Sequence, residues 1–213
     1  MINRILTDVT ADRLPGIEEG IKFDDGSFIK IDQDDGNFTL VVQLPGDDPE
    51  PVGAGNFPWM AIAEQERAAG VKETRPSNPR IEEYFATTTY GKHPDSEPWC
   101  SAFANFCVTK ANIEGTNSAL ALSWLDWGID ADKLVPGCIV ILERGSPGHG
   151  HVGFYVGEDA TAYHVLGGNQ GDTVSVARIA KDRCIARRWP SGRPVIGKPV
   201  QMAARKPIST DEA

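Results

Sequence analysis

The chain has 213 residues, of which 40% are hydrophobic and 24% charged, and its net charge at neutral pH is −9. This length and apolar fraction suit one globular domain with an appendage, and the net acidity argues against nucleic acid as the main partner. No apolar run approaches the roughly 20 residues of a membrane-spanning helix, and the first residues lack the apolar segment of a signal peptide. We therefore expect a chain made in the cytoplasm, without a membrane span.

Residues 1–56 predict a small module of their own. After an arm of weak periodicity, three apolar segments between residues 19 and 44 are separated by Asp24-Asp25-Gly26 and by Asp34-Asp35-Gly36-Asn37. Because Asp-Gly between alternating segments is a strong hairpin signal, we expect a three-stranded β-meander. Residues 45–55 are rich in Pro, Gly and acidic side chains, which is typical of a linker.

Residues 57–190 predict helices followed by strands. Apolar residues recur at three- and four-residue spacing in four expected helices, at 58–69, 79–87, 98–112 and 117–124. Strands are then expected at 138–142, 151–156, 162–166, 173–176 and 184–189. Helices followed by an antiparallel sheet form an α+β arrangement. Residues 191–213, rich in Pro, basic and small residues, predict a mobile tail.

The stretch Glu97-Pro98-Trp99-Cys100-Ser101-Ala102-Phe103 predicts the start of the third helix. A capping residue followed by Pro favours a helix start there. Cys100 then lies in the first turn, where exposed backbone N–H groups and the helix dipole favour a thiolate. Cys100 is therefore a candidate nucleophile, although a free Cys is more commonly a small buried hydrophobe.

A cysteine nucleophile needs a base, and the base needs a third group that fixes its orientation. Of the four histidines, His151 opens a predicted strand, from which its side chain can project towards a helix N-terminus. His149 lies in a Gly-rich approach, His93 in a loop and His164 within a strand. We therefore favour His151 as the base, while noting that a lone histidine is more often structural.

Asn169 is the candidate third group. It lies in Gly167-Gly168-Asn169-Gln170-Gly171, where the glycines would let backbone and side chain approach a site closely. The same run is equally typical of a turn that only connects two strands.

A metal site is the weaker alternative for these histidines. His149 and His151 could hold zinc together with a cysteine. The four cysteines are scattered, however, without the close pairs of zinc sites. We therefore expect reduced thiols and no metal or other cofactor.

Three motifs, in order, carry a family resemblance: Pro98-Trp99-Cys100-Ser101-Ala102-Phe103, Gly150-His151-Val152-Gly153-Phe154-Tyr155-Val156-Gly157 and Leu166-Gly167-Gly168-Asn169-Gln170. As a set they resemble the NlpC-type and CHAP cysteine peptidase/amidase superfamily, in its branch of small bacterial and phage proteins. The resemblance covers about residues 57–190 and leaves residues 1–56 without a counterpart.

The resemblance implies a papain-like fold and a cysteine hydrolase that cleaves amide bonds in peptidoglycan, as an amidase or an endopeptidase. Cys100 matches the nucleophile, His151 the base and Asn169 the third residue. His164 is the alternative third residue, since many members place a polar residue one strand after the base. No Gln precedes Cys100 as in papain, so the backbone N–H of Cys100, and of Ser101, would hold the oxyanion.

Two further expectations follow, the first from the residues and the second from the resemblance to the phage branch of the family. Pairing with His151 should lower the pKa of the Cys100 thiol well below its free value. A phage-encoded protein without a signal peptide would reach the cell wall by holin-type release or virion delivery. The competing hypothesis is a catalytically silent binding or virion component that keeps the fold, and the separate acidic N-terminal module motivates it.

Overall fold

The computed structural model describes residues 57–145 and 148–210 in full, and before them the backbone of three strands. The chain divides into two compact units, Met1–Glu50 and Pro51–Ala213. In the first unit the strands are β1 (Ile21–Lys22), β2 (Phe28–Asp34) and β3 (Asn37–Gln43), antiparallel in the order β1-β2-β3. The predicted meander is thus confirmed, whereas the predicted arm and linker lie outside the described residues.

The second unit begins with helices, as the apolar spacing predicts. They are α1 (Pro58–Ala68), α2 (Pro79–Phe85) and α3 (Cys100–Lys110). Asn78 caps α2 by accepting a hydrogen bond from the N–H of Arg80 at 2.9 Å, the role its short polar side chain predicts. The fourth expected helix is shorter than predicted and is a 3₁₀ helix, Ala121–Asp126.

A six-stranded antiparallel sheet follows the helices, so the unit is α+β. Its spatial order is β4-β9-β5-β6-β7-β8. The strands are β4 (Ile129–Asp130), β5 (Ile139–Glu143), β6 (Gly150–Glu158), β7 (Ala162–Gly167), β8 (Ser175–Ala180) and β9 (Cys184–Trp189). The short β4 was not expected, and β8 begins two residues later than expected because Thr173 instead forms an isolated bridge with Lys72.

Aromatic packing fixes α3 across the middle of the sheet. Phe103 on α3 contacts Phe154 on β6 with ring centroids 6.1 Å apart, and Tyr84 on α2 contacts Phe103 and Phe106 at 5.5 and 4.8 Å. All nine residues from Cys100 to Val108 are buried. These nine residues are therefore enclosed on all sides rather than buried on one face.

The described part of the predicted tail, residues 191–210, lies along the sheet. Glu158, at the end of β6, exchanges backbone hydrogen bonds of 2.7 Å with Val200 and Met202. Ser209 donates its N–H to the carbonyl of Arg178 on β8, also at 2.7 Å. The first two bonds attach the tail to the end of β6 opposite His151, and the third attaches it to β8.

We predict that a shortened protein beginning at Pro51 folds by itself. Residues Pro51–Ala213 form a compact unit with its own buried core, so the shortened protein should stay soluble and unfold in a single cooperative thermal transition. Circular dichroism melts of the shortened and full-length proteins test this. Aggregation of the shortened protein alone would contradict it.

Candidate active site

Cys100 is the first residue of α3, and Trp99 is the residue before the helix. The carbonyl of Trp99 accepts the N–H of Phe103 at 2.9 Å, which closes the first helical turn. The thiol is buried, with 3% of the residue exposed. The N–H groups of the first turn have no partner within the helix, so this end can hydrogen-bond to a thiolate or to an oxyanion.

Burial decides the ionisation of Cys100. It raises the pKa of the thiol above its ordinary value, and the neighbouring backbone N–H groups of Val152 and Ser101, with the charge of Arg144, offset this only in part. Removal from water disfavours a charged group more than a few amide dipoles favour it. The expected lowering of the pKa of the Cys100 thiol is therefore wrong for the protein at rest.

His151 is the second residue of β6, pairs with Leu142 on β5 and is fully buried. The backbone N–H that reaches the Cys100 thiol belongs to Val152, the next residue along the strand. The structure thus brings the start of α3 to the end of β6 that carries His151, as the order of motifs predicts.

The side chain that contacts His151 belongs to Gln170. Its Oε1 lies 3.1 Å from Nε2 of His151. Its Nε2 donates to the carbonyls of Val165 and Ser175. Because these two carbonyls take both amide hydrogens, only the amide oxygen is left for the ring. In neutral His151 the proton then resides on Nε2, and Nδ1 carries the lone pair that can accept a proton.

Asn169, the third residue expected from the sequence, makes no hydrogen bond to His151 in this structure. It occupies a left-handed turn with φ 60°, and 3% of it is exposed. Within the described residues its Oδ1 has no hydrogen-bond partner. The amide in contact with His151 is therefore that of Gln170 rather than that of Asn169. The Gly-Gly-Asn-Gln-Gly run located the turn, but sequence could not tell which of two adjacent amides faces the ring.

His164, the alternative third residue, belongs to a different cluster. Its Nε2 lies 2.9 Å from Oδ2 of Asp159, and Arg178 donates to both oxygens of the same carboxylate at 2.8 and 3.0 Å. All three residues are buried. The hydrogen bonds from Arg178 hold the pKa of Asp159 well below its usual range. His164 is thus engaged at a site separate from His151.

A hydrogen-bond network holds the first turn of α3. Ser101 donates its Oγ hydrogen to the carbonyl of Ser118 at 2.7 Å and accepts from Nε1 of Trp124 at 2.9 Å. Buried Asn105 donates to the carbonyl of Ser101 at 3.0 Å and to Oγ1 of Thr116 at 3.1 Å. These bonds fix the N–H groups beside the thiol, and the sequence pattern did not identify the residues that make them.

The acidic side chain of Glu73 lies beside Trp99, the residue before Cys100. Nε1 of Trp99 donates to Oε1 of Glu73 at 3.0 Å, and the backbone N–H of Glu73 donates to the carbonyl of Asp172 at 2.9 Å. Burial, with the charges of Asp172 and Asp95, raises the pKa of Glu73. Sequence reasoning missed Glu73 because it carries no local motif.

No cluster of three or more His, Cys, Asp or Glu with the geometry of a metal site occurs in the described ranges. Among the same residues, no helix is both long and apolar enough to cross a membrane.

No protein-family model, curated protein or solved structure matches this chain.

We predict that neutral His151 carries its proton on Nε2. Nitrogen-15 NMR of the ring should show this tautomer, and Gln170→Ala should relax it towards a mixture because the acceptor is removed. The ring of His164, held by Asp159, provides a control in the same spectrum and should not change. A proton on Nδ1 in the parent protein would contradict the assignment.

We also predict that alkylation of Cys100 by iodoacetamide is slow at neutral pH. The thiolate is the reactive species. Because the pKa of the Cys100 thiol is raised, its alkylation rate should still increase with pH at values where the alkylation rate of an unfolded cysteine peptide has reached its plateau. Peptide mapping by mass spectrometry separates Cys100 from Cys107, Cys138 and Cys184. A rate plateau near pH 6 would instead reveal a thiolate–imidazolium pair.

Proposed function

We propose that this chain is a cysteine hydrolase with a papain-like fold that cleaves amide bonds in peptidoglycan. One observation carries the proposal. Oε1 of Gln170 contacts Nε2 of His151, and the backbone N–H of Val152, the next residue along the strand, reaches the Cys100 thiol. A nucleophile, a base and an orienting group on adjoining buried elements are what nucleophilic catalysis requires. Peptidoglycan as the substrate rests on the motif resemblance.

The raised thiol pKa favours a neutral pair at rest, so His151 acts as a general base. As Sγ of Cys100 attacks the carbonyl carbon, Nδ1 of His151 takes the thiol proton. The C–N bond then breaks, the imidazolium gives this proton to the leaving amine, and a thioester remains. Water, deprotonated by His151, attacks the thioester, and Cys100 regains its proton as the acid leaves.

The oxyanion of each tetrahedral intermediate needs hydrogen-bond donors near the sulfur. The backbone N–H groups of Cys100 and Ser101 both lie close enough to the thiol to influence its pKa. The Ser101 network keeps them oriented before substrate arrives. These two donors support the oxyanion role expected for the first turn of α3.

We predict that Cys100→Ala abolishes cleavage of purified peptidoglycan, because no other group in the proposed mechanism can form the thioester. Cys107→Ala is the matched control: it removes a buried thiol from the same helix and should retain cleavage. Release of muropeptides followed by mass spectrometry measures the rate and identifies the cleaved bond. Unchanged cleavage by the Cys100→Ala protein would refute the proposal.

In the same assay Gln170→Ala should lower kcat by tenfold or more, a barrier change of about 1.4 kcal/mol. The variant keeps the nucleophile but loses the group that holds the ring, so turnover should fall more than substrate binding. Unchanged kcat with a folded protein would remove Gln170 from the mechanism.

A catalytically silent peptidoglycan-binding component is the second candidate. The burial of Cys100 and its raised pKa favour it, since both reduce reactivity. Sedimentation with purified cell walls distinguishes the two: the silent protein would bind them without releasing muropeptides. Under either proposal the chain acts at a cell wall, reached by holin-type release or in a virion if a phage encodes it.

A further inference from the structure

Asn169 is a buried polar residue that neither the fold nor the proposed mechanism uses. Only 3% of it is exposed, its φ is 60°, and its Oδ1 has no hydrogen-bond partner within the described part of the chain. A buried amide oxygen without a partner costs free energy, and a left-handed turn adds strain. Native structures hold few such groups, and each requires a physical explanation.

The neighbours of Asn169 place it beside the candidate site. A Cβ added to Gly168 would lie 2.5 Å from the Trp99 ring and 2.7 Å from Cβ of Phe103. The turn therefore packs closely against two residues on either side of Cys100 in the sequence. On its other side Gln170 contacts His151. Asn169 therefore lies between a contact to the nucleophile's helix and a contact to the base.

Hydrogen bonds made by other residues hold the turn, so the turn does not need the Asn169 amide for its own stability. The N–H of Gln170 donates to the carbonyl of Thr173 at 3.1 Å. Oγ of Ser175 donates to the carbonyl of Gln170 at 3.1 Å. The Asn169 amide is left available for a ligand.

We propose that Asn169 is a substrate-binding residue whose Oδ1 accepts a hydrogen bond from a substrate amide N–H next to the scissile bond. The inference rests on the proposed hydrolase function and specifies its substrate: a peptidyl amide with an unsubstituted N–H. Two acidic residues lie nearby: Glu73, which contacts Trp99, and Asp172, which lies close to Glu73. Their negative charge favours substrate groups that donate hydrogen bonds over substrate groups that are anionic.

The test compares two reagents that alkylate a thiol, N-acetyl-alanyl chloromethyl ketone and the same reagent methylated on the alanyl nitrogen. Only the first presents an amide N–H to Asn169. Labelling of Cys100, followed by peptide mapping at pH 9, needs no peptidoglycan cleavage. In the parent protein the unmethylated reagent should label Cys100 about tenfold faster.

Asn169→Gly removes the side chain and tolerates the left-handed backbone, so it should bring the ratio of the two rates close to one. Asn112→Gly is the matched control, because Asn112 is also left-handed, with φ 57°, but is exposed beyond the end of α3. It should keep the tenfold ratio. Asn169→Asp retains an acceptor and should keep most of the preference.

Three results would overturn the inference. They are an equal rate for both reagents in the parent, a preference that survives in Asn169→Gly, and no labelling of Cys100 by either reagent. A thermal melt adds a further check, because a structural role would lower the Tm of Asn169→Gly well below that of Asn112→Gly. If the preference depends on Asn169 but no muropeptide is released, the inference holds and the peptidoglycan assignment fails.

Discussion

The carboxamide of Gln170 is the interaction on which the candidate site depends. Its nitrogen bonds to the carbonyls of Val165 on β7 and Ser175 at the start of β8, and its oxygen faces His151 on β6. One side chain thus connects three neighbouring strands and favours the Nε2 position for the proton of neutral His151. Because an amide cannot ionise, this arrangement orients the ring without adding a charge to a buried site.

Burial has opposed consequences at Cys100. Packing of α3 against β6 places the thiol beside the backbone N–H of Val152, the residue after His151, but the same packing removes the thiol from water. A helix N-terminus stabilises an anion by about 0.3–1 kcal/mol, whereas full burial can shift a pKa by several units, each about 1.36 kcal/mol. Burial is therefore the larger effect, and the proposed chemistry requires proton transfer during attack rather than a preformed thiolate.

The sheet holds two buried polar clusters with separate roles. One joins His151 to Gln170, and the other joins His164 to Asp159 and Arg178, whose carbonyl also receives the N–H of Ser209 in the tail. Each cluster provides a partner for Nε2 of its histidine. Two histidines on adjacent strands thus belong to separate clusters, and Arg178 links the second cluster to the tail.

The sequence by itself determined what depends on neighbouring residues. Apolar spacing located α1, α2 and α3, and Pro58 and Asn78-Pro79 marked the starts of α1 and α2. For α3 the predicted cap and first position at Glu97-Pro98 were wrong, because the helix begins at Cys100 after Trp99, which makes no side-chain cap. Alternation located most of the sheet, and the motifs put Cys100 at a helix start and His151 on a strand. Only the tertiary structure put Gln170, which the sequence did not single out, in contact with His151 in place of Asn169, assigned His164 to Asp159, and raised the pKa of Cys100. Those outcomes depend on which distant backbone carbonyls and charges surround a side chain and on how far water is excluded, and neither is encoded in local spacing.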